Sequence, residues 1–283
     1  MKNILVTGTS GQLGRCFQKL SEKFADFNFL FCNSSQLDIT SKKALSAYFS
    51  NHKIDICINC AAYTNVEQAE KEKEKAFLIN STAVRQLAEI CKTQNCTLYH
   101  ISTDYVFDGK AKEPYSETDE VNPINVYGAS KLKGEEQIQQ ILSEYFIFRT
   151  SWLYSQYGHN FYNTILKKAQ ERATLNITTA QTGTPTNAND LAAYILKVIE
   201  LDSKDYGIYH YSNEGQATWF DFSETILNFS GNRDQVSLNK SGFYQTLAER
   251  PSFSVLSKQK LKSTFDIPIL DWKTSLKALI DEN

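Results

Sequence analysis

The sequence predicts an α/β protein, a doubly wound parallel sheet followed by a smaller C-terminal lobe. Three observations predict it. Short, almost continuously apolar runs alternate with helix-period segments through the first half. A glycine triplet, Gly8, Gly11 and Gly14, follows the first apolar run at once. After Tyr154 the alternation gives way to shorter, turn-rich elements. Strands apolar on both faces need cover on both, and helical crossovers supply it.

Taken in order, strands are expected at Asn3–Gly8, Phe27–Cys32, Ile54–Ala62, Thr97–Thr103 and Tyr145–Tyr154. Helices are expected around Gln12–Phe24, Ser41–Asn51, Ala76–Thr93 and Tyr127–Ser143. Beyond Tyr154 the pattern gives a helix at Asn160–Arg172, a strand at Leu175–Gln181 and a helix at Asp190–Leu201. A strand at Gly207–Asn213 and helices near Trp219–Phe229 and Trp272–Ile280 complete the chain. The charge run VEQAEKEKEKAF reads as a solvated helix, with Glu67–Lys71 at i,i+4 and Glu70–Lys73 and Glu72–Lys75 at i,i+3. Each such pair supports a helix by about 0.2–0.5 kcal/mol.

Composition excludes several function classes. The net charge is −2, so no electrostatic case exists for nucleic acid or a membrane surface. The apolar run before the first glycine is too short for a signal peptide, and no segment has transmembrane length, so a cytoplasmic protein is expected. Cys57 and Cys60 form a C-x-x-C inside an apolar strand. Strand residues three apart point to opposite faces, so the pair converges poorly on a metal. The four histidines are scattered, and no metal site is expected.

The stretch VTGTSGQLG turns a strand into a helix through Gly8, Gly11 and Gly14. Glycine permits the sharp turn, a close approach to a pyrophosphate and tight helix–sheet packing, and the helix N-terminus favours the anion. A Rossmann-type dinucleotide site follows. At the end of the second strand stand Asn33, Ser34 and Ser35. A carboxylate there would repel a 2′-phosphate, so its absence leans toward NADPH while leaving NADH open. Asp38 either reaches the adenine or belongs to a surface loop.

Reducing a carbonyl needs hydride at carbon and a proton at oxygen. A nicotinamide supplies the first and a positioned acid the second. Tyr127 and Lys131 lie one helical turn apart on one face, so the lysine can favour the phenolate and reach ribose hydroxyls. Thr103 ends a predicted strand, where open α/β sheets bind ligands. Y-x-x-x-K alone is common by chance. Behind a glycine turn and a Ser-Thr strand end it carries weight.

Together these features resemble the extended short-chain dehydrogenase/reductase superfamily. AAYTNVEQAE, STDYVFDG, NVYGASKLKGE, FRTSWLY, GTPT and RPSFSVLSKQKL narrow the resemblance to the dTDP-4-dehydrorhamnose reductases, over nearly the whole chain. The resemblance implies reduction of the 4-keto group of dTDP-4-dehydro-6-deoxy-L-mannose, giving dTDP-L-rhamnose for surface polysaccharide. It implies an NAD(P)-binding domain at 1–150, with about 175–205 returning to it, and a mainly substrate-binding lobe at 151–283. Tyr127 would be the proton donor, and Lys131 its partner and ribose ligand. Thr103 would hold the reacting oxygen, with Asp104 beside it at the sugar. Gly11, Gln12 and Leu13 would line the pyrophosphate, and Asp38 and Ile39 the adenine. Ala62, Tyr63 and Thr64 would line the nicotinamide side. Trp152 would contact the nucleotide-sugar, or else serve as a core aromatic. Arg250 would face a diphosphate or form a structural salt bridge.

This chain departs from the family pattern in two places. Some members build a metal-assisted dimer on glutamates. Here Cys16 and Asn189 stand at two of those positions, with Asp281 near the third, so a homodimer is left open and no metal is carried over. Tyr63 stands where a histidine is often found. Two other readings compete. A nucleotide-sugar dehydratase or epimerase is one, but Tyr105 rather than a glutamate follows Asp104. A non-catalytic NADP-binding regulatory subunit is the other, against which Tyr127, Lys131 and Thr103 are all retained.

Overall fold

The computed structural model describes residues 1–242 and 246–282. The first half runs β1 (Lys2–Thr7), α1 (Gln12–Ser21), β2 (Phe27–Cys32), α2 (Lys42–Asn51) and β3 (Ile56–Asn59). Two short helices follow, α3 (Val66–Ala69) and α4 (Lys73–Phe77), then a π-helical turn at Leu78–Thr82 and α5 (Ala83–Gln94). Next come β4 (Thr97–Thr103), a 3₁₀ turn at Asp104–Val106, α6 (Val126–Ile141) and β5 (Tyr145–Thr150). The second half runs β6 (Leu153–Tyr154), α7 (Phe161–Gln170), β7 (Thr174–Thr178), β8 (Thr182–Gly183), β9 (Thr186–Asn187) and α8 (Ala188–Glu200). It closes with β10 (Gly207–His210), β11 (Ala217–Thr218), α9 (Trp219–Phe229), β12 (Ser237–Ser241), α10 (Gln259–Phe265) and α11 (Trp272–Asp281).

Among the described residues one parallel sheet of six strands has the order β2-β1-β3-β4-β5-β10. The chain moves one way from β1 to β2 and then returns to β1's other side for β3. A crevice opens at that reversal, outside the carboxyl ends of the strands. Strand alternation divides the core into two layers. Ile4, Val6, Ile58 and Phe148 pack with Phe17 of α1 and Leu191 and Ile195 of α8. Leu5, Cys57, Leu98 and Ile147 face the other way, against Leu45 of α2, Leu87 of α5 and Ile138 of α6. Cys57 and Cys60 accordingly sit with opposite layers, and all six cysteines are free thiols.

The lobe has its own core, in which Tyr154, Ile165, Phe222, Ile226, Trp272 and Leu276 pack together. Within about 175–205, β7 pairs with β12 and α8 packs on α1; just after that stretch, β10 adds the sheet's edge strand beside β5. In β7, Thr174, Leu175 and Asn176 run exposed, buried, exposed, as in a half-solvated strand and not a sheet centre.

Two expectations change. The run YFIFRTSWLY is not one strand. It breaks at Ser151–Trp152, where Trp152 adopts a left-handed φ of 45°. The charge run is not one solvated helix either. It splits into α3 and α4, and of the three anticipated pairs only Lys75–Glu72 forms, at 3.1 Å. Glu67 and Glu70 are instead recruited by distant parts of the chain.

Candidate active site

The glycine turn is built for close approach. Gly8 has a φ of 69°, and a Cβ there would lie 2.6 Å from the Ala61 nitrogen. A Cβ on Gly14 would lie 2.5 Å from the Thr9 Cα, so α1 can lean on the turn only with glycine there. Gly11 differs: a Cβ would meet only the Gly8 carbonyl, at 3.3 Å, and its outer side faces a cavity. It occupies the N-cap of α1 with no capping side chain. The first N–H groups of that helix are thus left for an anion. A dinucleotide pyrophosphate fits this cradle.

The cavity, about 950 Å³, runs from this turn to the lobe. Its lining brings together Gly8, Gly11, Gln12, Leu13, Gly14, Asp38, Ile39, Ala62, Thr64, Thr103, Asp104, Tyr127, Lys131 and Trp152. Tyr63 is the exception among the expected residues. Its hydroxyl donates to Glu72 at 3.0 Å, and it does not line the cavity although both its neighbours do. Gln12 also clamps the lobe: its Nε2 donates to the Leu153 carbonyl at 3.2 Å, and its Oε1 accepts from Ser155 and Asn160. Asp38 holds its own loop, accepting from the Thr40 N–H at 2.9 Å and hydroxyl at 2.7 Å.

Tyr127 reaches the cavity because Asn125 starts α6 there. The Asn125 side chain accepts from the Gly128 N–H at 2.8 Å, placing Tyr127 in the first turn. Gly128 lets that turn press on the 3₁₀ segment, since a Cβ would lie 2.1 Å from the Tyr105 carbonyl oxygen. Burial pushes the Tyr127 phenol well above its ordinary pKa, the Thr103 hydroxyl working against this and Asp104 with it. The phenol is therefore a proton carrier through the neutral range. One turn later, burial pushes Lys131 down to about 8, opposed by Glu135 and Cys60. The Thr103 hydroxyl donates to Asp104 at 3.0 Å and accepts from the Tyr105 N–H at 3.2 Å. Burial raises the Asp104 carboxyl to about 6, partly offset by Ser254, Thr103 and backbone N–H groups.

Several supporting residues escaped the sequence reading. Asn80, in the π-helical turn, exchanges hydrogen bonds with the Tyr63 backbone at 2.8 and 2.9 Å and donates to Ser130 at 2.9 Å. Ser130 in turn donates to the Tyr127 carbonyl at 2.8 Å. Glu70 accepts from the Val126 N–H at 2.8 Å, fixing the same helix start. Glu67 accepts from Arg250 at 2.8 Å and from the Leu247 N–H at 2.7 Å. Desolvation opposes ionisation of Glu67, but these bonds outweigh it and its pKa falls below the ordinary value. Arg250 thus makes the anticipated salt bridge and also lines the cavity. Asn59 in CINC and His100 in LYHIS escaped as well, and for these two a polar residue inside an apolar strand was an available signal. Charge runs gave none, because solvated and recruited glutamates look alike in sequence.

Trp152 stacks on Trp219, with ring centroids 3.6 Å apart and planes 7° from parallel. Gly183 makes room for it, since a Cβ there would lie 2.6 Å from the indole. Both tryptophans and Phe161 form the lobe side of the cavity. Among the described residues no group of three or more His, Cys, Asp and Glu side chains is gathered for a metal ion, and no helix is long and apolar enough to cross a membrane.

A doubly wound sheet whose glycine turn and Tyr–Lys pair share one crevice defines a dinucleotide-binding protein of the short-chain dehydrogenase/reductase type. The chain belongs to the RmlD substrate binding domain family, whose model matches residues 1–283. It is 37% identical to the dTDP-4-dehydrorhamnose reductase of Aggregatibacter actinomycetemcomitans, over 99% of this chain and 98% of that one. Among solved structures, a dTDP-4-dehydrorhamnose reductase from Bacillus anthracis in complex with NADP superposes with a TM-score of 0.95, at 34% identity and full coverage of both chains. A Clostridium acetobutylicum dTDP-4-dehydrorhamnose reductase ortholog superposes with a TM-score of 0.93, at 39% identity over 99% of each chain.

Proposed function

We propose that this chain reduces the 4-keto group of dTDP-4-dehydro-6-deoxy-L-mannose with NADPH, giving dTDP-L-rhamnose for surface polysaccharide. The carrying observation is the placing of Tyr127, Lys131 and Thr103 in the wall of the cavity that begins at the Gly11 cradle. The Bacillus anthracis relative, crystallised with NADP, supports the cofactor. The relatives named for this reaction support the substrate.

The residues divide the work. Gly8, Gly11, Gln12, Leu13 and Gly14 would hold the pyrophosphate, Asp38 and Ile39 the adenosine end, and Ala62 and Thr64 the nicotinamide end. NADPH held there would supply the hydride for the sugar carbon. Tyr127 delivers a proton to the oxygen that becomes a hydroxyl, and Lys131 holds the charge balance beside it. Thr103 and Asp104 orient the sugar at that oxygen. Trp152 lays an aromatic wall against the nucleotide-sugar.

The deciding assay is NADPH oxidation, followed at the nicotinamide absorbance with dTDP-4-dehydro-L-rhamnose and identification of the product. NADPH binding with no oxidation on any keto-sugar offered would leave the regulatory-subunit reading instead. NADH run in parallel measures how far the serine-rich loop after β2 discriminates. For Trp152→Ala we expect KM for the sugar nucleotide to rise about tenfold with a smaller change in kcat, since an aromatic contact is worth ~0.5–1.5 kcal/mol. An unchanged KM would return Trp152 to a purely packing role.

We place the reaction in the cytoplasm, where NADPH and nucleotide-sugars are made. A homodimer would need other contacts than the family's metal-linked carboxylates. Cys16 is fully buried, and the Asn189 side chain is engaged with Gln156 and Asn187. Light scattering of the purified chain measures its state directly.

A further inference from the structure

A buried polar chain runs behind Lys131, from β1 through β3 and β4 to α6. The Asn59 Oδ1 accepts from the Thr7 hydroxyl at 2.6 Å and from the Ala61 N–H at 3.2 Å. A backbone N–H can only donate, so the amide cannot be turned over without setting two donors face to face. The Asn59 Nδ2 therefore points at the His100 Nδ1, 3.1 Å away. That nitrogen must accept, which leaves the ring's proton on Nε2. Nε2 lies 3.2 Å from Lys131 Nζ.

An ammonium has no lone pair with which to receive this proton. A neutral amine has one. It can accept from Nε2–H while donating to the Ile101 carbonyl, 2.6 Å away. We propose that His100, its tautomer fixed by Asn59, is a positioning residue that stabilises the uncharged amine of Lys131 and so makes Lys131 a proton source, not a permanent cation. This deepens the reading above, on which Lys131 stands beside the proton donor. When Tyr127 has given its proton to the sugar oxygen and is left as phenolate, the Lys131 ammonium can pass a proton to that phenolate and restore the phenol. The amine left behind is held by Nε2–H.

The surroundings agree. His100 is fully buried, and burial together with Lys131 pushes its pKa far down, so the ring stays neutral. Lys131 is depressed by burial to about 8. The groups acting on it are Glu135 on its own helix, Cys60 just beyond β3, and His100 and the Ile101 carbonyl on β4. Of these, Glu135 and Cys60 favour the ammonium. His100 works against them.

Nitrogen NMR of the full, uniformly labelled chain tests this, with the ring assigned through bonds. His100 is expected to show a protonated Nε2 and a bare Nδ1 from about pH 6 to about pH 9, with no titration in between. A protonated Nδ1, or a ring that titrates near its ordinary value, would overturn the proposal. The second measurement follows the Lys131 side-chain carbon signal with pH, identified by its loss in Lys131→Met. In His100→Gln an amide oxygen can turn to Lys131 and accept. The Lys131 midpoint should rise by about one pH unit, and a midpoint that stays or falls would refute the coupling. The wild-type tautomer decides the matter even if that variant folds poorly. Neither readout needs turnover, so failure of the keto-sugar assay would sink the functional reading and leave this one standing.

Discussion

Replacing Tyr127 with phenylalanine is expected to lower turnover of the keto-sugar by about 10²–10⁴-fold, the usual worth of a positioned general acid. The argument rests on what the change leaves intact. Tyr127 packs edge-on against Tyr105, with centroids 5.6 Å apart, and phenylalanine keeps that contact. The helix start depends on Asn125, Gly128 and Glu70, none of which touches the phenol oxygen through the bonds that fix the turn. NADPH binding and Tm should therefore stay near the parental values while kcat falls. A parallel loss of cofactor binding would show instead that the phenol mainly holds ribose. Unchanged turnover would place the acid elsewhere, with Asp104, raised by burial, the first group to examine.

The pH profile carries the same logic. Burial keeps the Tyr127 phenol protonated through the neutral range, so its own ionisation should not limit reduction there. Lys131, depressed to about 8, loses its proton as pH rises through that value. If the ammonium is the form that restores the phenol, kcat falls on the alkaline side of about 8. In Lys131→Met that limb should vanish together with most of the activity.

The sheet was legible because its strands are continuous apolar runs bounded by turn residues, and each burial layer repeats every second residue. The nucleotide turn was legible because Gly8 and Gly14 each answer a steric demand that only glycine meets, with Gly11 between them at the open N-cap of α1. Tyr127, Lys131 and Thr103 became legible jointly, through their places on successive elements. The remainder depends on partners far apart in sequence. Glu67 meets Arg250 across the lobe, Glu70 meets the start of α6, and Asn80 reaches Ser130 from a π-helical turn. No local pattern separates these from solvated side chains. The break at Trp152 was hidden as well, because a β-prone run of aromatic and aliphatic residues gives no warning of a left-handed φ.

Removing the Glu135 carboxylate is expected to cost about 3–5 kcal/mol of stability, the penalty for leaving a buried charge without its partner. Glu135 is fully buried on α6, and Arg149 on β5 is nearly so. Arg149 Nη2 donates to Glu135 at 2.7 Å, and its Nε shares both oxygens at 3.1 and 3.2 Å. Ser102 on β4 donates to the same carboxylate, and the guanidinium lies 5.2 Å from the centre of the Phe107 ring. One residue thus joins α6 to both β4 and β5, directly behind the helical turn that carries Tyr127 and Lys131. In Glu135→Ala, Arg149 would keep its charge in a space water cannot fill. For a chain of this size each kcal/mol lowers Tm by roughly 2–4 °C, so a fall on the order of 10 °C should be seen in calorimetry. Adding Arg149→Met should recover part of it, because an apolar pair needs no compensation. A single variant losing less than about 1 kcal/mol would mean that the pair contributes no more than exposed ones do. The loss also reaches the chemistry: without the Glu135 charge, which favours the Lys131 ammonium, the Lys131 midpoint should move further down, and the alkaline limb of the reduction with it.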